Sequence, residues 1–261
     1  MANTFFQVQS YFTYWLDAVG EHSLHSPFFY DFYTQVVRPR EKDTDFQQAE
    51  KIRQALLADR RSIAAADIGA ASSVLSGHQR SIRDIARTST SPVRYSKLYA
   101  RIIKAFHCSE VVELGTSFGI NTLYLARYNR GTLHTFEGVN AIADIAQANF
   151  DAAGASGIQL VRGNIDHTLS RFLEGVKSVD FALLDANHRL IPTLQYFEAL
   201  AMKVHPRSVM VIDDIHHSAE MASAWKAIQQ HPLVYATADL FRCGLVFFDP
   251  SLNKQHVVLQ Y

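Results

Sequence analysis

The residues of this chain that could carry chemistry are carboxylates and glycines placed where apolar runs stop. Glu113 lies near the end of one such run, Val111 to Leu114; Gly115 and Gly119 follow, and Ile120, Leu123, Leu125 and Ala126 resume at helical spacing. The pattern is strand, tight turn, helix, in which glycine lets the backbone turn sharply and a ligand approach without a Cβ in the way. The turn lacks Gly-x-Gly-x-x-Gly and lacks the Gly-Lys-Ser/Thr of a phosphate loop, so its ligand need not be a nucleoside diphosphate. Glu137 stands 22 residues past Gly115, a spacing at which a carboxylate accepts hydrogen bonds from both ribose hydroxyls of a nucleoside. The plainer alternative for Glu137 is an acid at a helix N-terminus, held by the dipole.

A second group of carboxylates follows. Asp185 ends the apolar run Val179 to Leu184, and Asp213 and Asp214 end the run Ser208 to Ile212. One crossover helix separates the two strands, so they are expected to be neighbours at about 4.8 Å. Three carboxylates at one rim repel one another and ask for a cation. An all-oxygen donor set selects a hard divalent ion, Mg²⁺, Mn²⁺ or Ca²⁺. The alternative is that Asp214 begins a loop and Asp185 caps the next helix.

The elements that must position these groups alternate regularly. After the central turn come a strand from Gly131 to Phe136, a helix from Ala141 to Phe150, a strand from Ile158 to Val161 and a helix from His167 to Leu173. The acidic strands follow, separated by a helix from Pro192 to Val204; a helix from Ala219 to Gln230 and two strands, Leu233 to Leu240 and Gly244 to Phe248, close the series, and His256 to Leu259 could add another. Such alternation predicts an α/β fold: a doubly wound, mostly parallel, seven-stranded sheet with helices on both faces and an antiparallel pair at the end. In that architecture ligands bind outside the carboxyl ends of the strands, where all the named acids fall. Residues 1–87 read as a helical cap or extension and residues 88–261 as the ligand-binding domain. In the extension, Phe5 to Val37 is dense in aromatics and broken at His22 to Pro27, which predicts two helices whose rings serve as core or close over a flat substrate. Asp67-Ile-Gly-Ala-Ala-Ser72 imitates the central turn, but it has no second glycine at the right distance and no acid-ended strand about 20 residues on. The segment Thr88 to Phe106 reads as a loop followed by a helix; the loop could touch ligand, and the helix is scaffold.

Composition narrows the partners. With 25 basic and 25 acidic residues the formal net charge is +0, so strong attraction to nucleic acid or an anionic membrane is not expected. Cys108 and Cys243 are in no metal-type spacing and suit a reducing cytoplasm. The aromatic N-terminus is interrupted by Asn3, Gln7, Gln9 and Ser10 and reads as neither signal peptide nor membrane span. It could equally be a core element or the interface of a homodimer.

Taken together, Glu113-Leu-Gly-Thr-Ser-Phe-Gly119, Glu137, Leu184-Asp-Ala-Asn-His188 and Ile212-Asp-Asp214 resemble, in order and spacing, class I S-adenosylmethionine (SAM) methyltransferases of the metal-dependent O-methyltransferase type, the catechol and caffeoyl-CoA enzymes. The resemblance covers Thr88 to about Phe248. The aromatic extension with His22-Ser-Leu-His-Ser-Pro-Phe28, and Asp213-Asp-Ile-His216 before a Trp-containing helix, look more like uncharacterised methyltransferase-like proteins of Bacteroidetes bacteria. The resemblance implies a methionine pocket shaped by Glu113, Gly115, Thr116, Ser117 and Gly119, ribose held by Glu137, adenine flanked by Asn164 and Ile165, and a metal bound by Asp185, Asp213 and Asp214, with Asp185 also bordering the cofactor. Two departures stand out: Asp214 replaces the family's usual Asn, and His188 replaces its catalytic Lys.

The reaction so implied is in-line transfer of the sulfonium methyl to the hydroxyl of a small molecule, the hydroxyl acidified by the metal and its proton taken by His188. His216 and His217, just past the Asp pair, are alternative bases or ligands. Two other readings stand beside it: a metal-independent N- or C-methyltransferase whose Asp cluster binds an amine, and a SAM-binding module without activity. Base methylation in nucleic acid is disfavoured, since there is neither an Asn/Asp-Pro-Pro-Tyr/Phe motif nor a Pro-Cys nucleophile.

Overall fold

The structure is a computed structural model and describes residues 4–40, 44–64 and 79–261. The Asp67 to Ser72 imitation of the central turn lies outside the described residues. In chain order the elements are α1 (Thr4–Asp17), α2 (Pro27–Phe32), α3 (Gln47–Ala58), β1 (Ser62–Ala64), β2 (Gln79–Ser81), α4 (Ile82–Ser89), α5 (Val93–Phe106), β3 (Glu110–Leu114), α6 (Ile120–Ala126), β4 (Thr132–Glu137), α7 (Asn140–Ala153) and β5 (Ile158–Arg162). They continue with α8 (Ile165–Gly175), β6 (Phe181–Leu184), α9 (Leu190–Ala201), β7 (Val209–Asp213), α10 (Ala219–Gln229), β8 (Ala236–Asp239), β9 (Cys243–Phe247) and β10 (Gln255–Val258).

The fold is α/β, with a mainly parallel central sheet flanked by helices. Its strands are near-continuous apolar runs because both faces are covered; every residue of β6, β7 and β9 is buried. The chain divides into two compact units, one of Met1–Lys42 with Val176–Tyr261 and one of Asp43–Gly175.

In the unit of Asp43–Gly175 the strand order is β3-β4-β5, all parallel, so the ends carrying Leu114, Glu137 and Arg162 point the same way. α5 leads into β3 through His107, which ends the helix in the left-handed conformation at φ 56°. α3, α4, α6 and α7 share a core in which Phe46 stacks on Tyr124 at 4.3 Å. Two elements here escape a reading of periodicity, the β1–β2 ribbon and α4. The latter is capped by Ser81, whose hydroxyl accepts from the Asp84 amide at 3.1 Å.

In the other unit the order is β10-β8-β9-β7-β6. The expected antiparallel strand is present: β9 runs opposite to both β7 and β8, while β10 adds in parallel to β8. α1 and α2 belong to this unit. Tyr14 donates its hydroxyl to the Leu259 carbonyl at 2.7 Å, Tyr33 donates to the Gln260 carbonyl at 3.0 Å, and Phe28, Phe29 and Phe32 set their rings edge-on against Phe247. Cys108 and Cys243 are both buried, free thiols. No helix among the described residues is long and apolar enough to cross a membrane.

Candidate functional site

The turn after β3 directs its backbone amides at the end of β4. Gly115 takes φ 102° and Ser117 φ 48°, and the amides of Gly115 and Thr116 both donate to the Phe136 carbonyl, at 3.2 and 3.0 Å. The turn is thereby fastened to the end of β4, where Glu137 lies. The Glu137 carboxylate accepts from the Ser117 amide through one oxygen and from the Val139 amide through the other, each at 2.9 Å. Burial raises its pKa and these amides oppose the rise. A carboxylate offers about four acceptor positions, so both oxygens keep capacity for a pair of hydroxyls.

Glu113 is fully buried. One of its oxygens accepts from the hydroxyls of Thr122 and Thr135, and the other accepts no hydrogen bond from the described residues. Burial pushes this carboxyl up to about 7, against the pull of the two threonines. A buried acceptor left without a donor costs about 1–3 kcal/mol, so its position is explained by a ligand donor more readily than by packing.

Asn164 and Ile165 join the same rim. The Gly163 amide donates to the Glu137 carbonyl at 2.9 Å, and the Asn164 side chain accepts from the Asp166 amide at 2.9 Å, starting α8. Gly119 has another reason for being glycine: a Cβ there would meet the Phe150 ring at 2.3 Å, and its φ is +79°. Ser89, the last residue of α4, reaches this turn and shares a hydroxyl–hydroxyl bond of 2.7 Å with Ser117.

The acidic rim lies in the unit that contains β6 and β7. Asp185, Asp213 and Asp214 come together as their spacing predicts: Asp185 is pushed well above the usual carboxylate range by burial and then by the charges of Asp213 and Asp214. Burial and Asp213 raise Asp214 as well. The cation they call for is supplied by the chain itself. Arg242, on the link between β8 and β9, donates to Asp213 at 2.9 Å and lies 3.5 Å from Asp214. Burial opposes the charge of this guanidinium, and the three carboxylates outweigh burial, so it stays protonated. Two of the carboxylates thus pair with a guanidinium, and no group of three or more metal-type side chains among the described residues is set to hold a metal ion. Arg242 went unnoticed in the sequence because a single basic residue in a strand link carries no motif.

His188 faces this rim with both ring nitrogens, Nε2 at 3.5 Å from Asp185 and Nδ1 at 4.0 Å from Asp214. The backbone is bent to place it: Asn187 and His188 take φ 66° and 41°, Asp214 54° and Phe241 64°. Non-glycine residues in this region cost about 1–3 kcal/mol each and gather at functional sites. His216 is engaged elsewhere, bonded to Asp239 at 2.7 Å and stacked on Phe241. α1 covers this neighbourhood, with the Tyr11 ring 5.0 Å from Phe241 and the Gln7 side chain donating to the His217 carbonyl at 3.1 Å.

Comparison with known proteins adds one assignment. Residues 112–215 match the model of a methyltransferase domain. Among solved structures, cofactor-bound Rv0187 from MTB is similar at 16% identity over 85% of this chain and 95% of that one, TM-score 0.58. The O-methyltransferase from Bacillus cereus in complex with SAH is similar at 16% identity over 83% and 94%, TM-score 0.57. The O-methyltransferase TomG from Streptomyces achromogenes, in complex with SAM, is similar at 18% over 61% and 82%, TM-score 0.54. At these identities the likeness establishes the fold. No curated protein matches the chain.

Proposed function

We propose that this chain is a SAM-dependent methyltransferase acting on the hydroxyl of a small molecule. The observation that carries the reading is the Glu137 carboxylate, clamped by the Ser117 and Val139 amides at the end of β4 within the segment that matches the methyltransferase domain. Its free acceptor positions suit the two ribose hydroxyls. The unsatisfied oxygen of Glu113 suits the ammonium of the methionine moiety, with the backbone of Gly115, Thr116 and Ser117 around it and Gly119 closing the turn. Asn164 and Ile165 flank the adenine.

When bound, SAM supplies a methyl on a sulfonium, which an acceptor oxygen takes by in-line displacement. On the acceptor side, His188 is the base that receives the hydroxyl proton: its ring lies at the acidic rim, Nε2 3.5 Å from Asp185 and Nδ1 4.0 Å from Asp214. Arg242 fixes Asp213 and Asp214 and supplies the positive charge expected from Mg²⁺, Mn²⁺ or Ca²⁺, so the proposal contains no metal step. A second reading, transfer to an amine, is favoured by the excess of three carboxylates over one guanidinium, which leaves acidic capacity for a cationic acceptor.

Calorimetric titration with SAM of protein freed of divalent ions by chelation tests the reading. Binding is expected before Mg²⁺ is added, with no further heat on adding it, and Glu137→Ala is expected to weaken SAM by at least tenfold. Absence of SAM binding would sink the methyltransferase reading, and binding that begins only with Mg²⁺ would restore the metal. Transfer to hydroxyl and amine acceptors then separates the two chemistries.

A further inference from the structure

α3 buries a charge on its apolar face. Ala49, Ile52 and Leu56 pack in the core shared with α4 and α6, and Arg53 beside them is only 7% exposed. Taking a guanidinium out of water is unfavourable unless good geometry offsets it, and here the fork bonds in three directions. Nε donates to Glu50 at 2.8 Å, Nη1 to the Ser91 carbonyl at 2.8 Å and Nη2 to the Ser96 hydroxyl at 3.4 Å. Asn121, in the first turn of α6, joins the same network: it accepts from the Ser96 hydroxyl at 2.6 Å and donates to the Ser91 hydroxyl at 3.0 Å. Ser91, Ser96 and Asn121 are all buried. Arg53 thereby ties α3, α5 and α6 to the link between α4 and α5. That link leads back to the turn after β3. Ser89, two residues before Ser91, gives its hydroxyl hydrogen to the Ile85 carbonyl at 2.8 Å, so in its bond with Ser117 the Ser117 hydroxyl is the donor. Ser117, at φ 48°, also gives its amide to Glu137.

We infer that Arg53 is a positioning residue for SAM: it holds Ser91, and with it Ser89, so that Ser117 stays in the left-handed conformation that clamps Glu137. The inference rests on the reading of Glu137 as the ribose carboxylate. Arg53 and its partners up to Ser96 precede the segment 112–215 that matches the methyltransferase domain, so the extension serves the cofactor by fixing the turn that receives it. Packing alone does not call for this residue, since apolar side chains of similar volume in place of a buried ionic network are often neutral or stabilising. The fork itself is what the geometry uses: one planar group reaches a carboxylate, a carbonyl and a hydroxyl on three elements, which a lysine cannot do. Without it fewer molecules hold the turn ready, and the apparent dissociation constant for SAM rises by the fraction lost.

Calorimetric titration of the full chain with SAM tests the inference. Arg53→Met combined with Glu50→Gln removes both charges and leaves the Tyr124 hydroxyl its acceptor. This variant is expected to keep or raise the thermal midpoint while the dissociation constant for SAM rises about tenfold or more. Amide exchange at Ser117 without SAM should quicken by a similar factor, with α7 keeping its protection. Arg53→Lys, which keeps the charge and loses the fork, should weaken SAM as well. Ser89→Ala removes only an exposed hydroxyl, so it keeps the test open where the double variant does not fold. It should also weaken SAM, and on top of the double variant it should add less than about twofold, because both act along one path. With the wild type binding, SAM affinity unchanged in the Arg53 variants or in Ser89→Ala overturns the inference and leaves the methyltransferase reading standing. Full affinity in Arg53→Lys overturns it too, by reducing Arg53 to a charge partner of Glu50. A wild type that does not bind SAM removes both.

Discussion

Two glutamates at successive strand ends are tuned in different ways. Glu137 is held by backbone amides and Glu113 by side-chain hydroxyls, so only Glu113 keeps an oxygen with no donor among the described residues. Its folded pKa of about 7 lies above the ordinary value of 4.5. A group raised on folding contributes stability that is complete below the unfolded pKa and is lost as pH rises through the folded one. Here the loss falls between about pH 4.5 and 7 and is on the order of 3 kcal/mol. An ammonium beside Glu113 would hold it ionised, so SAM binding is expected to expel a proton and to tighten as pH rises from 5.5 to 8. Titrations in two buffers of different ionisation heat check this; affinity flat across that interval would remove Glu113 from the methionine pocket. Neither the shift nor the unsatisfied oxygen is legible in sequence, because both depend on which hydroxyls the fold brings to Glu113. That Glu113 and Glu137 would sit at strand ends is legible, since apolar runs stop beside both.

At the scale of elements, the turn between β3 and α6 shows where sequence reasoning found the right residue for an incomplete reason. Gly119 is expected from its place in the turn, yet the nearest neighbour of its missing Cβ is the ring of Phe150 on α7. The requirement is close packing between α6 and α7 as much as room for a ligand. Gly119→Ala should therefore lower stability by roughly 2–4 kcal/mol, from the left-handed backbone and the clash together, as measured by urea denaturation. Loss of SAM binding without loss of stability would return Gly119 to the pocket. The link between β8 and β9 teaches the converse: a short connection of no evident motif delivers Arg242 to the carboxylates of β7. Asp213 and Asp214 announce a need for positive charge; the source of that charge comes from a strand pairing.

At the scale of the molecule, the first and last stretches of the chain form one unit. Tyr14 accepts from the Tyr261 amide at 3.1 Å as well as donating to Leu259, and Val19 bridges to Leu259. Removing residues 255–261 deletes β10 and these clasps together. Amide exchange across residues 4–37 is then expected to quicken by at least tenfold while residues 93–162 keep their protection. Equal protection of residues 4–37 in both forms would show that the aromatic contacts of α2 with Phe247 suffice to hold the extension.

By itself the sequence determined the order of strands and helices from Glu110 onward, the antiparallel strand near the end, and the placing of Glu113, Glu137, Asp185, Asp213 and Asp214 at strand ends. Those properties follow from local periodicity and from the few ways an alternating chain can form a sheet. The tertiary structure alone decided that the positive charge among the aspartates is Arg242 and that one Glu113 oxygen meets no donor among the described residues. Each of these depends on which distant residues meet, and distance along the chain does not encode that.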